Sequence, residues 1–297
     1  MAEVIIRADS SSEIGTGHIM RDLVLAKEFE SAVFAVRDLR GSINHRITAA
    51  GFPFEVLSGD SAEELAQIIK KHGAKTLVID HYGIDYEYEQ RIKEFAGVKI
   101  FCLDDTYEKH LCDVLLNHNV YADAKRYEKL VPDGCEVRCG AEYTLLRDEF
   151  IAEKLKGRAP DNKSVFIAMG GADTAGLNEK ILDVLEDFPE LTAHVVTTSA
   201  NAGLESLKKR AEKGNVCLHA DAVNIAKIMN SCGFCIVTPS VTLNEVFYME
   251  IPFIAVKTAD NQRFMVDYLR EKGFRVFDGF DADKMKDSIS MMLKDMG

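Results

Sequence analysis

Short apolar runs rich in β-branched residues alternate with helical patterns from one end of this chain to the other. That alternation constrains the fold more than any other feature, because strands separated by helices build βαβ units with parallel, doubly covered sheets. Two series can be read. In the first, strands are expected over 4–8, 32–36, 54–57, 76–79 and 98–103, with helices over 62–72 and 86–95. The charged stretch 148–164, ending in Gly157-Arg158-Ala159-Pro160-Asp161-Asn162-Lys163, interrupts the pattern and reads as a linker. A second series follows, with strands over 164–169, 193–197, 216–219, 233–237 and 253–256 and helices over 177–187, 223–230, 243–249, 262–272 and 281–295. With 297 residues the chain is long enough for two cores. The expectation is an α/β protein with an N-terminal α/β domain over 1–155 and a C-terminal α/β domain over 156–297.

The net charge of −12 argues against a nucleic-acid binder, since phosphate backbones are held by surplus Lys and Arg. An anionic ligand must therefore be met locally, by glycine loops and helix N-termini whose free N–H groups point at it. No stretch approaches the roughly 18 uninterrupted apolar residues of a membrane span, and the N-terminus turns polar by Arg7, so the chain is expected in the cytoplasm and away from membranes. A monomer is compatible with this organisation. The seven cysteines lie mostly inside apolar runs, as reduced core thiols do. Cys232-x-x-Cys235 lacks the second ligand pair that zinc requires, so no metal is expected.

In open α/β sheets ligands collect at the carboxyl ends of strands, and Asp9, Asp80 and Asp104 each close one. The first strand runs into Asp9-Ser10-Ser11-Ser12-Glu13-Ile14-Gly15-Thr16-Gly17-His18, followed by a helix with Ile19, Leu23 and Ala26 on one face. Gly15 and Gly17 permit close approach by a ligand or a second backbone. Met20 stands where a dinucleotide fingerprint would have its third glycine, which speaks against that cofactor. His18, in the first helical turn, is kept neutral by the helix dipole and so is able to accept a proton, though a capping or packing histidine would look the same. Asp80-His81-Tyr82-Gly83 ends another strand; Tyr82 offers a hydroxyl to a sugar or closes the loop, and His81 is a second base or a structural residue. Asp104-Asp105 lacks the Asp-x-Asp spacing associated with metal-held sugar diphosphates.

In the second half, a strand delivers Met169-Gly170-Gly171 ahead of a helix, either a diphosphate seat or a tight turn. Thr238-Pro239-Ser240-Val241-Thr242-Leu243-Asn244-Glu245 joins another strand to a helix. Ser240 and Thr242 could bond phosphate or cap that helix. Glu245, expected in the first turn, suits the helix dipole and could also accept from both ribose hydroxyls. Asn261 lies at the mouth of the following helix, as a cap or a phosphate contact.

Together these segments resemble the UDP-2,4-diacetamido-2,4,6-trideoxy-β-L-altropyranose hydrolases of pseudaminic acid biosynthesis, relatives of the glycosyltransferase B superfamily. The likeness runs through 7–19 with Arg21-Asp22-Leu23-Val24-Leu25-Ala26, then 79–84, 135–140, 168–171 and Leu243-Asn244-Glu245. It implies two Rossmann-like domains facing a cleft, a UDP-linked diacetamido sugar as substrate, UDP held mainly by the C-terminal domain, and hydrolysis without cofactor or metal. Carried over residue by residue, the catalytic histidine is His18, the glycine loop Gly15 and Gly17, the sugar-side tyrosine Tyr82, the ribose-binding glutamate Glu245 and the conserved amide Asn261. Arg21, Met169 and Leu243 lie in matching segments and are expected at the substrate. Because a nucleoside diphosphate leaves as a stabilised anion, one base to activate water suffices, with inversion at the anomeric carbon. A sugar transferase and a nucleotide-sugar binding protein are the other readings; the first would require an acceptor, the second would release no UDP.

Overall fold

The computed structural model describes residues 2–212 and 214–296. They form two compact units, Met1–Leu145 and Leu146–Gly297. The first holds β1 (Val4–Ala8), α1 (Gly17–Leu25), β2 (Ala32–Arg37), α2 (Asn44–Ala49), β3 (Phe54–Leu57), α3 (Ala62–His72), β4 (Thr76–Asp80), α4 (Tyr86–Ala96), β5 (Lys99–Leu103), β6 (Val114–Asn117) and β7 (Glu136–Cys139). Its strands form one parallel sheet in the order β3-β2-β1-β4-β5-β6-β7.

The apolar run of β1 is continuous because both faces of the sheet are covered, and all five of its residues are buried. Ile5 faces Leu65, Ile69 and Ile92 of α3 and α4. Val4, Ile6 and Ala8 face the other way, into a cluster with Ile19 and Leu25 of α1 and Ile47 of α2. The covering helices end where their sequences direct. Ser61 and Asp85 accept the N–H groups of Glu64 and Tyr88 at the starts of α3 and α4, and Gly73 and Gly97 close them in the left-handed conformation.

The second unit holds α5 (Asp148–Lys154), β8 (Asp161–Ala168), α6 (Leu177–Leu185), β9 (Thr192–Thr197), α7 (Leu204–Ala211), β10 (Val216–Ala220), α8 (Ile225–Ser231), β11 (Cys232–Val237), α9 (Val241–Met249), β12 (Phe253–Val256), α10 (Arg263–Glu271), β13 (Val276–Phe277) and α11 (Ala282–Met296). Its sheet is also parallel, ordered β10-β9-β8-β11-β12-β13. At Gly233, in β11, an added Cβ would lie 2.9 Å from the Asn162 Cα of β8, so this position requires a residue without a side chain. Among the described residues no helix is long and apolar enough to cross a membrane.

The charged stretch expected to link the domains is built differently. Its first part is α5, which buries Phe150 and packs on α8 and α9, and its last part begins β8 at Asp161. The units divide between Leu145 and Leu146, ahead of that stretch. Charge clustered there because one face of a short helix and the exposed start of a strand follow each other.

Each sheet reverses its strand order at one point, between β1 and β4 in the first unit and between β8 and β11 in the second. The crevice outside the carboxyl ends at such a switch point is where open α/β sheets take ligands. The loops that leave β1, β4, β8 and β11 carry most of the residues singled out above.

Candidate active site

The loop after β1 is folded on itself and pinned to its neighbour. Ser11 and Gly15 exchange both main-chain hydrogen bonds, and the Ser11 hydroxyl accepts from the N–H groups of Glu13 and Ile14. Gly15 has φ +85°, a conformation glycine adopts without strain, and a Cβ there would meet open space. Ser12 donates its N–H to the Arg40 carbonyl, and Ile43 donates to the Ser10 hydroxyl. Gly17 then opens α1, whose N-cap Thr16 makes no side-chain capping bond.

His18 is the second residue of α1 and is buried. Burial pushes its proton affinity below the ordinary imidazole value, and Arg21 pushes the same way against the carboxylates of Asp80 and Asp105. Its Nδ1 is buried without a hydrogen-bond partner among the described residues. The Tyr82 ring meets it edge-on with centroids 4.9 Å apart. The result is a neutral imidazole held by packing, able to take a proton.

Tyr82 is half exposed, and its hydroxyl donates to both oxygens of Asp105 at 2.9 and 3.1 Å. The loop that carries it is set by His81, whose Nδ1 accepts from the Gly83 N–H at 3.0 Å while Nε2 lies 3.2 Å from Asp9. With Nδ1 accepting, Nε2 is the protonated nitrogen, and His81 is a structural residue rather than a second base. Asp9 is itself held by paired bonds from Arg7 at 2.7 and 2.9 Å and by the Nε and main-chain N–H of Arg37. Although burial opposes it, those partners keep the Asp9 carboxylate ionised far into acid.

The guanidinium of Arg21, expected at the substrate, is engaged within the unit. Nε and one terminal nitrogen bind the two oxygens of Asp80 at 2.6 and 2.5 Å, and the other terminal nitrogen reaches Asp105 at 3.2 Å and His118 at 3.4 Å. Burial alone would raise Asp80, but Arg21 overrides it and the carboxyl sits at about 2. Burial holds His118 neutral, at about 3. Asp105 thus ties Tyr82 to Arg21, a link that sequence spacing could not reveal because its members come from one helix and two separate loops. Asp104 serves its own turn, accepting from Thr106, Tyr107, Glu108 and Tyr127.

In the second unit, Met169 is buried and Gly170, at φ +85°, is exposed. Gly171 is fixed through its carbonyl, which accepts from the hydroxyls of Thr197 and Thr198 and from the Thr198 N–H. The helix expected to lend its dipole to these glycines begins only at Leu177, and its N-terminus is taken. Asp173 receives the N–H groups of Leu177 and Asn178 at 2.8 and 2.9 Å. The open N-terminus is that of α9, a nine-residue helix whose N-cap Ser240 makes no side-chain capping bond. Ser240 and Thr242 are partly exposed there, whereas the Leu243 side chain is fully buried, so any ligand contact of Leu243 or Met169 runs through the main chain.

Glu245 is the fifth residue of α9, beyond the first turn where the sequence reading put it, and it is buried. One carboxylate oxygen accepts from two nitrogens of Arg147 at 2.9 Å. Burial still raises its proton affinity above the ordinary value. Asn261 is exposed on the turn Asp260–Gln262 before α10. The turn is held by Gln262, whose side-chain oxygen accepts from the N–H groups of Thr258 and Ala259, and Gln262 rather than Asn261 is the N-cap of α10.

Two clusters among the described residues bring three possible metal ligands together: Asp9, Asp60 and His81, and Glu89, Cys102 and His110. The first already holds the cations of Arg7 and Arg37 against its carboxylates. In the second, Asp104 and Glu89 raise His110 to about 10 despite its burial, so the imidazolium neutralises the site. Cys232 and Cys235 are free and buried in β11, and burial pushes the Cys232 thiol up to about 12.

No family model matches the chain. A search of solved structures finds the MurG of Acinetobacter baumannii at a TM-score of 0.62 with 11% identity, covering 99% of this chain and 93% of that one. LpCGTa in complex with UDP also superposes at 0.62 with 12% identity, covering 98% and 90%. These likenesses carry the fold, two Rossmann-like units of the glycosyltransferase B kind. Among curated proteins, the spore coat polysaccharide biosynthesis protein SpsG of Bacillus subtilis is 22% identical over 282 residues, 90% of this chain and 81% of its own length. The UDP-2,4-diacetamido-2,4,6-trideoxy-β-L-altropyranose hydrolase of Campylobacter jejuni is 41% identical over 276 residues, 92% of this chain and 98% of that protein. At that identity over nearly both full lengths, the chain belongs to the family of UDP-2,4-diacetamido-2,4,6-trideoxy-β-L-altropyranose hydrolases.

Proposed function

We propose that this enzyme hydrolyses the anomeric C–O bond of UDP-2,4-diacetamido-2,4,6-trideoxy-β-L-altropyranose, releasing UDP and the free sugar with inversion and without a metal, as a step in making pseudaminic acid. The observation that carries the chemistry is His18, a buried neutral imidazole at the switch point of the first sheet, poised below its ordinary proton affinity. His18 takes a proton from the attacking water as the C1–O bond to UDP breaks, and the diphosphate leaves with the bonding pair. Tyr82 lies against His18 and meets the sugar.

In the second unit the diphosphate is held by the main chain of Gly170 and Gly171 and by the open first turn of α9 with Ser240 and Thr242. Glu245, anchored by Arg147, accepts from the ribose, and Asn261 contacts the substrate from its exposed turn. The surroundings of His18 support inversion. Asp9, Asp80 and Asp105 each hold arginine, so none of them is a bare nucleophile for a covalent intermediate.

Chelator-treated enzyme turning over in water enriched with heavy oxygen tests the reading. Label is expected on the sugar at C1, in the inverted anomer, with unlabelled UDP and no acceptor required. Label in phosphate would overturn attack at carbon, a retained anomer would overturn direct displacement, and loss of turnover restored by a divalent cation would overturn metal independence.

A further inference from the structure

Asp22 lies four residues after His18 on α1, on the same helical face. It is completely buried, yet neither carboxyl oxygen has an N–H or O–H donor among the described residues. The other buried carboxylates of this unit are all supplied among the described residues: Asp9 by Arg7 and Arg37, Asp80 by Arg21, Asp104 by its turn, Glu89 by His110. What Asp22 meets is Asp80, whose two oxygens already hold Arg21.

Two ionised carboxylates cannot share a dry site, and as a pair of anions they set acceptor against acceptor. One proton turns the contact into a hydrogen bond. Arg21 stabilises the charge on Asp80, so the proton belongs on Asp22, whose affinity burial and Asp80 both raise. The other ionisable groups around this cluster among the described residues are His18 and Arg21 from α1, His81 and Tyr82 after β4, Asp105 after β5 and His118 after β6.

We propose that Asp22 is a protonated carboxylic acid in the working enzyme, donating to Asp80, and that it is a positioning residue for the Arg21–Asp80 clamp beneath His18. Its neutrality matters to the base. An ionised Asp22 one turn from His18 would add negative charge and hold the imidazole protonated, unable to accept from water. This bearing on His18 rests on the hydrolytic reading; the protonation of Asp22 does not.

Asp22→Asn in the full chain, an uncharged analogue that still donates, separates the two. Wild type must keep on folding a proton that its unfolded chain releases above about pH 3.9. The ratio of unfolding constants, wild type over Asp22→Asn, is therefore expected to rise tenfold per pH unit above that value, and a flat ratio from pH 5 to 8 would overturn the proposal. A protonated-carboxyl band in the infrared at pH 7 should be lost in the variant; its persistence would also overturn it. In kinetics, the acidic limb of kcat/KM should stay in place, whereas a shift to lower pH would mean that a charge had been removed. Asp22→Leu provides the stability and infrared measurements where the asparagine does not fold.

Discussion

At the scale of the residue, what matters at His18 is a competition between burial and charge. Burial and Arg21 disfavour the imidazolium while Asp80 and Asp105 favour it, and burial wins. With His18 as the proposed base, hydrolysis needs its neutral form, so activity should be lost as pH falls through a value below the ordinary 6.5. A pH profile of kcat/KM whose acidic limb lies at or above 6.5 would contradict this balance. His18→Asn should reduce kcat by roughly 10²–10⁴ and leave UDP affinity in place, the usual share of a general base. The setting of His18 was legible in the sequence because a strand, a glycine loop and a helix start lie close together in the chain around it. The partners of Arg21 and Glu245 were not, since Asp80 and Arg147 lie 59 and 98 residues away and only the fold brings them into contact.

At the scale of the element, the two helices that follow glycine and hydroxyl loops in the second unit look alike in sequence and differ in structure. Asp173 caps α6 with a buried carboxylate, and α9 is left open behind Ser240. A diphosphate seated on α9 would be repelled by a carboxylate at its N-cap. Ser240→Asp should weaken UDP binding at least tenfold while leaving the free protein no less stable, because Ser240 makes no capping bond to lose and a carboxylate suits the helix N-terminus. Asp173→Ala should cost about 1 kcal/mol of stability as a lost cap. Calorimetry with UDP and denaturant titration read the two effects separately, and unchanged UDP affinity in Ser240→Asp would remove α9 from the site. Buried strands such as β1 and the amphipathic helix α3 could be read from the pattern alone. Strands β7 and β13 could not, because they lie at the sheet edges, are only partly buried and so carry no continuous apolar run, and β6 was passed over although β3 and β12, also four residues long, were read.

At the scale of the whole molecule, the sequence pattern was sufficient for two parallel α/β units, because a doubly covered sheet writes continuous apolar strands into the chain. The boundary was the weaker inference, since α5 carries the charge of a linker while packing as part of the second unit. A chain of net charge −12 that binds a diphosphate must do so through local donors, as oriented main-chain N–H groups can provide, against its overall field. Those groups belong to the second unit in the reading given above, and the base belongs to the first, each on a sheet with its own core. UDP alone should therefore slow amide hydrogen exchange in the loop after β8, the first turn of α9 and the turn Asp260–Gln262. Where local opening releases the ligand, protection should reach about 2.7 kcal/mol at a hundredfold excess over Kd. The loop 10–18 before and into α1 should exchange at its unliganded rate under UDP, because the sugar that engages His18 is missing. Protection of 10–18 by UDP alone would place the diphosphate on the first unit's helix start, and His18 would then be a leaving-group contact rather than the base that activates water.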